Sequence, residues 1–217
     1  MTDQNFTAMR RAMVENQLRT NDVNDPVILE AILAVPREDF LPEQRRSAAY
    51  IDRSVPLGNG RALNPALATA RLLIAAEIKA GDSALLVGAS TGYAAALLAK
   101  LGCTVVAVEE ADDLIAAARV ALKGQASVTI EKGPLAKGHA KGAPYDLLFV
   151  DGAVEALPDA LTEQLKPGGR AVFAKVDQGV TRLCSGVRTA GGFGARAFAD
   201  SEAVILPGFA APKGFTF

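Results

Sequence analysis

The chain has 217 residues, half of them hydrophobic, and a formal net charge of −1; that is enough for one sizeable core, or one core with a small appendage. Acids and bases are mixed along it, with neither a basic stripe suited to nucleic acid nor an acidic tail. The two cysteines, Cys103 and Cys184, stand in unrelated positions, which excludes metal-ligand and redox spacings and leads us to expect a reducing, cytoplasmic setting.

The N-terminal region carries Arg10, Arg11, Glu15 and Arg19 and has no apolar run, so it is not expected to be a signal peptide. A first helix is predicted near Thr7 to Leu18. Asp25 before Pro26 reads as an N-cap followed by proline at the first helical position, and that helix should stop before Pro36. A short strand is predicted around Ser54 to Leu57. Asn64-Pro65 should open another helix, with Asn64 as its cap and Leu67, Ala70, Ile74 and Ile78 on one face, closed by Gly81.

From residue 83 the pattern alternates. Ser83–Val87 is an apolar run suited to a buried strand, and Gly92–Leu101 follows as a helix. Ser83 to Ala99 carries no charge but is too short, and too rich in turn residues at its centre, to span a membrane. Thr104–Val108 is a second strand, Ala111–Leu122 a helix with Leu114, Ile115 and Ala118 inward, and Val128–Ile130 a short strand. Leu147–Val150 is another strand, Leu157–Leu165 a helix, Pro167 to Gly169 a turn and Arg170–Val176 a strand. Such alternation implies a parallel sheet covered on both faces. Val180–Thr189 and Ala195–Leu206, around Gly191-Gly192, read as an antiparallel hairpin at the sheet edge. Residues 1–80 are thus expected to form a helical extension and 81–217 the main domain.

The chemistry concentrates at the loop Gly88-Ala89-Ser90-Thr91-Gly92. Small residues at a strand-to-helix turn let a ligand approach the backbone and the helix N-terminus. Glu109 lies 21 positions after Gly88, at the tip of the next strand, where a carboxylate can accept both ribose hydroxyls of a nucleotide. Three ligand classes compete. A dinucleotide fingerprint would want glycine where Tyr93 stands, and a phosphate loop would want Gly-Lys-Ser/Thr. A nucleoside without phosphate, as in S-adenosylmethionine, tolerates the shorter pattern. The loop also satisfies the G-x-S-x-G elbow of α/β hydrolases. That reading needs a histidine late in the fold, whereas the single histidine, His139, precedes two or more strands among Lys137, Gly138, Lys141 and Gly142 and reads as a solvated loop residue.

Beyond these local signals, the sequence resembles the protein-L-isoaspartate O-methyltransferase family from about residue 9 to about residue 207. The resemblance rests on Met13-Val-Glu-Asn-Gln-Leu-Arg19, the stretch from Ala31 through Pro36-Arg37-Glu38-Asp39-Phe40 to Pro42, Ala49-Tyr50-Ile51-Asp52 and Val55-Pro56-Leu57-Gly58. It continues in Gly92-Tyr93, Ala143-Pro144-Tyr145-Asp146 and Gln164 to Arg170. It implies a Rossmann-like S-adenosylmethionine-dependent α/β methyltransferase fold: a mostly parallel sheet, a C-terminal antiparallel hairpin and the N-terminal helical extension. It implies S-adenosyl-L-methionine as cofactor and methyl transfer to the free carboxylate of isoaspartate in damaged proteins or peptides. Neither nucleic acid nor membrane is an expected partner.

The same resemblance implies cofactor contacts from Gly88, Ala89, Ser90, Gly92, Tyr93, Glu109 and Asp151, and brings Asn64 to the substrate carboxylate. Four positions depart from the family pattern. Leu86 stands where an acid is usual, Ser90 for the middle glycine, Pro134 for an acid that reaches the adenine, and Asn64 for a hydroxyl residue. These departures predict weakened cofactor contacts and keep open a second reading, a relative that binds the cofactor or a partner without repairing isoaspartate.

Overall fold

The computed structural model describes residues 5–211. Helix α1 (Phe6–Met13) starts with the Asn5 side chain accepting from the Ala8 N–H at 3.0 Å and runs on through a π turn, Val14–Leu18. Helix α2 (Pro26–Ala34) starts as its sequence requires: Asp25 Oδ1 accepts from Val27 N–H at 2.9 Å and Ile28 N–H at 3.1 Å. Two 3₁₀ turns, Arg37–Phe40 and Glu43–Ala48, lead to a hairpin of β1 (Val55–Gly58) and β2 (Arg61–Leu63), which pair only with each other.

Helix α3 (Ala66–Ala75) departs from its expected face. It buries Ala66, Ala68, Thr69, Ala70, Leu72 and Leu73, while Ile74 is 36 % exposed. It also ends before Ile78, because Glu77 adopts a left-handed φ of +46° that a helix cannot continue through. The chain then alternates through β3 (Ser83–Val87), α4 (Tyr93–Lys100), β4 (Thr104–Glu109), α5 (Asp112–Ala121), β5 (Val128–Lys132) and β6 (Tyr145–Val154). Leu114, Ile115 and Ala118 are buried, as α5's periodicity demands.

The helix expected over Leu157–Leu165 shrinks to α6 (Asp159–Thr162), since Gln164 O already accepts from Tyr145 N–H at 2.8 Å and draws the chain into the sheet. Strand β7 (Leu165–Asp177) absorbs the expected turn as an irregularity between Leu165, opposite Tyr145, and Arg170, opposite Leu147. Strands β8 (Val180–Thr189) and β9 (Gly192–Asp200) form the antiparallel hairpin. The second arm was expected to reach Leu206. Instead the chain leaves the edge after Asp200 and returns to β6, where Ala153 N–H donates to Val204 O at 2.7 Å and Leu206 N–H donates to Ala153 O at 2.9 Å.

The seven strands lie in the order β5-β4-β3-β6-β7-β8-β9, with parallel pairing from β5 to β7. Alternation along β3 feeds two cores: Ala84 and Leu86 face one with α3 and α4, and Leu85 and Val87 face the other with Leu135, Leu161 and Phe173. Strand order reverses between β3 and β6. In open α/β sheets the crevice at the carboxyl ends of such strands is where ligands bind. Among the described residues no helix is long and apolar enough to cross a membrane, and no cluster of three or more His, Cys, Asp or Glu is placed to hold a metal.

At the opposite ends of the strands, Asp146 ties the starts of β3, β6 and β7 together. It accepts from Ser83 N–H at 2.9 Å, Ser83 Oγ at 2.8 Å and Lys166 Nζ at 2.8 Å. Burial alone would raise this carboxyl, but Lys166 and Ser83 hold it down at about 2. The folded value lies below the unfolded value of ~3.9. Its stabilisation is therefore complete above that value and is lost as pH falls through about 2. Asp146→Asn should lower the melting temperature at neutral pH and flatten the acid limb of the pH–melting profile; an unchanged acid limb would contradict the assignment.

Candidate functional site

The loop after β3 lies at the switch point. Both Gly88 N–H and Ala89 N–H donate to Val108 O at 3.1 Å, which fastens the loop to the end of β4. Ser90 takes a left-handed φ of +50°. Gly92 enters α4 at φ +98°, where an added Cβ would stand 2.6 Å from Leu122. The loop is also fastened to the N-terminal segment: Thr91 Oγ1 donates to Phe40 O at 2.6 Å, and Tyr93 packs edge-on to Phe40 with ring centroids 5.5 Å apart. Tyr93 is thus part of the packing that holds the loop, with the Arg37 guanidinium 4.9 Å from its ring centroid.

Glu109 ends β4 and is fully buried. Its Oε1 accepts from Arg61 Nη1 at 2.7 Å, Glu110 N–H at 2.9 Å and Ala111 N–H at 3.2 Å. Its Oε2 accepts from Ser90 N–H at 2.8 Å and Arg61 Nη2 at 2.9 Å. Sequence spacing found Glu109 but not Arg61. A lone arginine in a hairpin carries no signal that it will turn inward 48 residues ahead of its partner. Nη2 also reaches Ser90 Oγ at 3.3 Å, whereas Nε is buried with no partner.

Asn64 was expected to cap α3, and it does not. Pro65 occupies the cap position with no side-chain bond. The Asn64 amide bridges instead: Nδ2 donates to Asp151 Oδ1 at 2.8 Å, and Oδ1 accepts from Val204 N–H at 2.7 Å. The reason is that the buried Asp151 carboxyl and the half-buried Val204 N–H have no other partner among the described residues at that point, and a two-sided amide satisfies both. Arg37 fixes the backbone beneath it, with Nη2 donating to Asn64 O at 2.6 Å and Nε to Ala49 O at 2.8 Å. Burial pushes the Asp151 carboxyl up, against the pull of the Asn64 amide and of Arg37 and Arg61. Burial likewise lowers Arg37.

The returning segment completes the crevice. Leu206 lies against two glycines: an added Cβ at Gly88 would stand 3.0 Å from Leu206 Cδ1, and one at Gly152 would stand 2.5 Å from Leu206 Cγ and 2.7 Å from Val204 O. Small size at these positions is used by the chain itself. Of the atypical positions, Leu86 is fully buried in the core. Pro134 follows Gly133, whose N–H donates to Glu109 O at 3.1 Å, so it does border the crevice. His139 bonds to Gln164 and Tyr145 at the starts of β7 and β6, at the end of the strands opposite Ser90, which removes the hydrolase pairing. Cys103 and Cys184 are both buried and unpaired with each other.

A family profile described as protein-L-isoaspartate(D-aspartate) O-methyltransferase matches residues 8–188. Protein-L-isoaspartate O-methyltransferase 1 of Rhodopseudomonas palustris is 38% identical over 187 residues, covering 85% of this chain and 76% of the relative. The Methylorubrum extorquens protein of the same name is 39% identical over 165 residues, covering 76% and 72%. Among solved structures, a protein-L-isoaspartate O-methyltransferase aligns at TM-score 0.80 and 22% identity over 92% of this chain and 66% of its own. A Plasmodium falciparum structure described as such a methyltransferase in complex with S-adenosyl-L-homocysteine aligns at TM-score 0.77 and 20% identity, covering 91% and 97%. At these identities the two structures bear on the fold.

Gly152 gives a direct check on the returning segment. Gly152→Ala should destabilise the protein by about 1–3 kcal/mol, because the new methyl collides with Val204 O, a backbone atom, and with Leu206. Urea unfolding measures the loss, and protease sensitivity should rise between residues 200 and 206. A neutral substitution would show that the contact is not close in solution.

Proposed function

The chain belongs to the protein-L-isoaspartate(D-aspartate) O-methyltransferase family, and we propose that it transfers a methyl group from S-adenosyl-L-methionine to the free carboxylate of isoaspartyl residues in damaged proteins and peptides. The observation that carries this reading is the meeting of Glu109 with the Gly88–Gly92 loop at the switch point. A carboxylate held by the Ser90, Glu110 and Ala111 N–H groups is rigid enough to select a vicinal diol, so the residues present fit the cofactor's ribose.

In this reading Glu109 holds the ribose, and Gly88, Ala89, Ser90 and Gly92 line the cofactor's path. Asp151 faces the crevice from β6, and Tyr93 keeps the loop in position by packing on Phe40. The cofactor supplies an electrophilic methyl on a sulfonium. The chain's own task is orientation. An isoaspartyl carboxyl is ionised at neutral pH, since such groups titrate near ~4, so the attacking oxygen requires no general base. Aligning it with the methyl can supply most of the barrier reduction. Asn64 is suited to that: Nδ2 spends one hydrogen on Asp151 and has a second for the substrate carboxylate.

Residues 1–80 form the substrate-side extension and 81–217 the cofactor-binding domain in this proposal. Two buried thiols that remain apart support a cytoplasmic location.

Incubation with methyl-labelled cofactor and an isoaspartyl peptide should yield a base-labile methyl ester on the peptide. Absence of label on the peptide, with an active family member as control, would overturn the reading. Asn64→Ala should lower kcat/KM for the peptide by about tenfold or more, as expected for loss of a hydrogen bond to a charged group. Cofactor affinity should change much less; a variant with unaltered kcat/KM would remove Asn64 from the substrate site.

A further inference from the structure

We propose that Arg61 is an internal competitor for the cofactor: its guanidinium occupies the ribose-binding face of Glu109, and the cofactor enters only when the β1–β2 hairpin gives that face up. The inference rests on the assignment of Glu109 to the ribose made above. It begins from a count. A carboxylate offers about four lone-pair positions. Glu109 already receives five donors, three from backbone N–H groups and two from Arg61. The backbone donors belong to the loop and to the chain entering α5 and are fixed by the fold. Two ribose hydroxyls therefore have room only where Nη1 and Nη2 now sit.

The substitution is chemically like for like. A guanidinium edge presents two roughly parallel donors to a carboxylate, and a vicinal diol does the same. Arg61 is 6% exposed and Glu109 is not exposed at all, so a ligand cannot share the carboxylate by approaching from the side.

The hairpin is built to let go at its tip. Val55 and Leu63 anchor its base in the core. Beyond them Gly58, Asn59 and Gly60 all take left-handed φ values, of +113°, +50° and +73°. A Cβ added at Gly58 or Gly60 would meet nothing within 4 Å, so the turn lies in open space. An exposed hydrogen bond from Asn59 Nδ2 to Asp113 Oδ2, at 3.0 Å, ties the tip to α5. Arg61 itself is incompletely satisfied where it sits, with Nε buried and unpartnered. Burying a donor without a partner costs free energy, which favours the state in which Arg61 reaches water.

The predicted consequence is a reduced apparent affinity: the intrinsic affinity scaled by the fraction of molecules with Arg61 displaced. The test is calorimetric titration of S-adenosyl-L-homocysteine into the wild-type protein, Arg61→Ala and Arg61→Gln, each checked for folding by its melting curve. Both variants should bind about tenfold more tightly or better. In the wild-type protein, saturating S-adenosyl-L-homocysteine should speed amide exchange at residues 58–63 while Glu110 and Ala111 stay protected. Equal or weaker binding by folded variants, with the wild-type protein binding, overturns the competitor and leaves the cofactor reading standing. Binding by none of the three proteins overturns both. If neither variant folds, the wild-type exchange decides: unchanged protection across 58–63 on saturation overturns the proposal.

Discussion

A buried carboxylate has to be satisfied by something, and in this protein the site is arranged around that constraint. Glu109 stands at the end of a central strand with no exposure to water. Left unpaired, such a charge is costly enough that removing one partner of a buried pair typically loses about 3–5 kcal/mol. The fold answers with three backbone N–H groups, which fix the loop after β3 and the entry to α5, and with Arg61, which draws the hairpin down over the sheet edge. Loop, helix start and hairpin are thus positioned by one side chain. A ligand that provides the same two donors can take over the part of Arg61, releasing the hairpin while the backbone N–H groups keep the loop and the helix start in place.

A second polar network performs the equivalent task on the other side of the switch point. Arg37 grips the Asn64 carbonyl, the Asn64 amide joins Asp151 to Val204, and Leu206 is thereby laid on Gly88 and Gly152. Segments from five separate parts of the sequence meet here. Since Asn64 is the hinge between them, a change at this position affects both the crevice wall and any carboxylate brought to it.

Much of this was legible in the sequence, for identifiable reasons. The apolar runs at Ser83–Val87 and Leu147–Val150 read as buried strands by their shortness and their place in the strand–helix alternation, and Asp25-Pro26 reads as an N-cap and first helical proline. Glu109 was found because strand length and helix length fix its distance from Gly88. What escaped detection depended on contacts that local patterns do not encode. Arg61 turns inward because a partner waits 48 residues away. Asn64 had a sufficient local explanation as a cap, and tertiary demand from Asp151 and Val204 overrode it. Leu206 continued a plausible strand by periodicity, but the free end of β6 offered better hydrogen-bond partners than the hairpin edge.

The segment around Val204–Leu206 also sets an order of assembly. Its contact with Asn64 spans 140 positions, and every strand of the sheet is synthesised before it. During translation the sheet, the loop and Glu109 can therefore form while the crevice still lacks one wall. Long-range closures of this kind come late, because the chain between the partners must be ordered first. A chain whose sheet is folded but whose Val204–Leu206 segment has yet to dock carries an open crevice, and docking of that segment supplies the wall laid on Gly88 and Gly152.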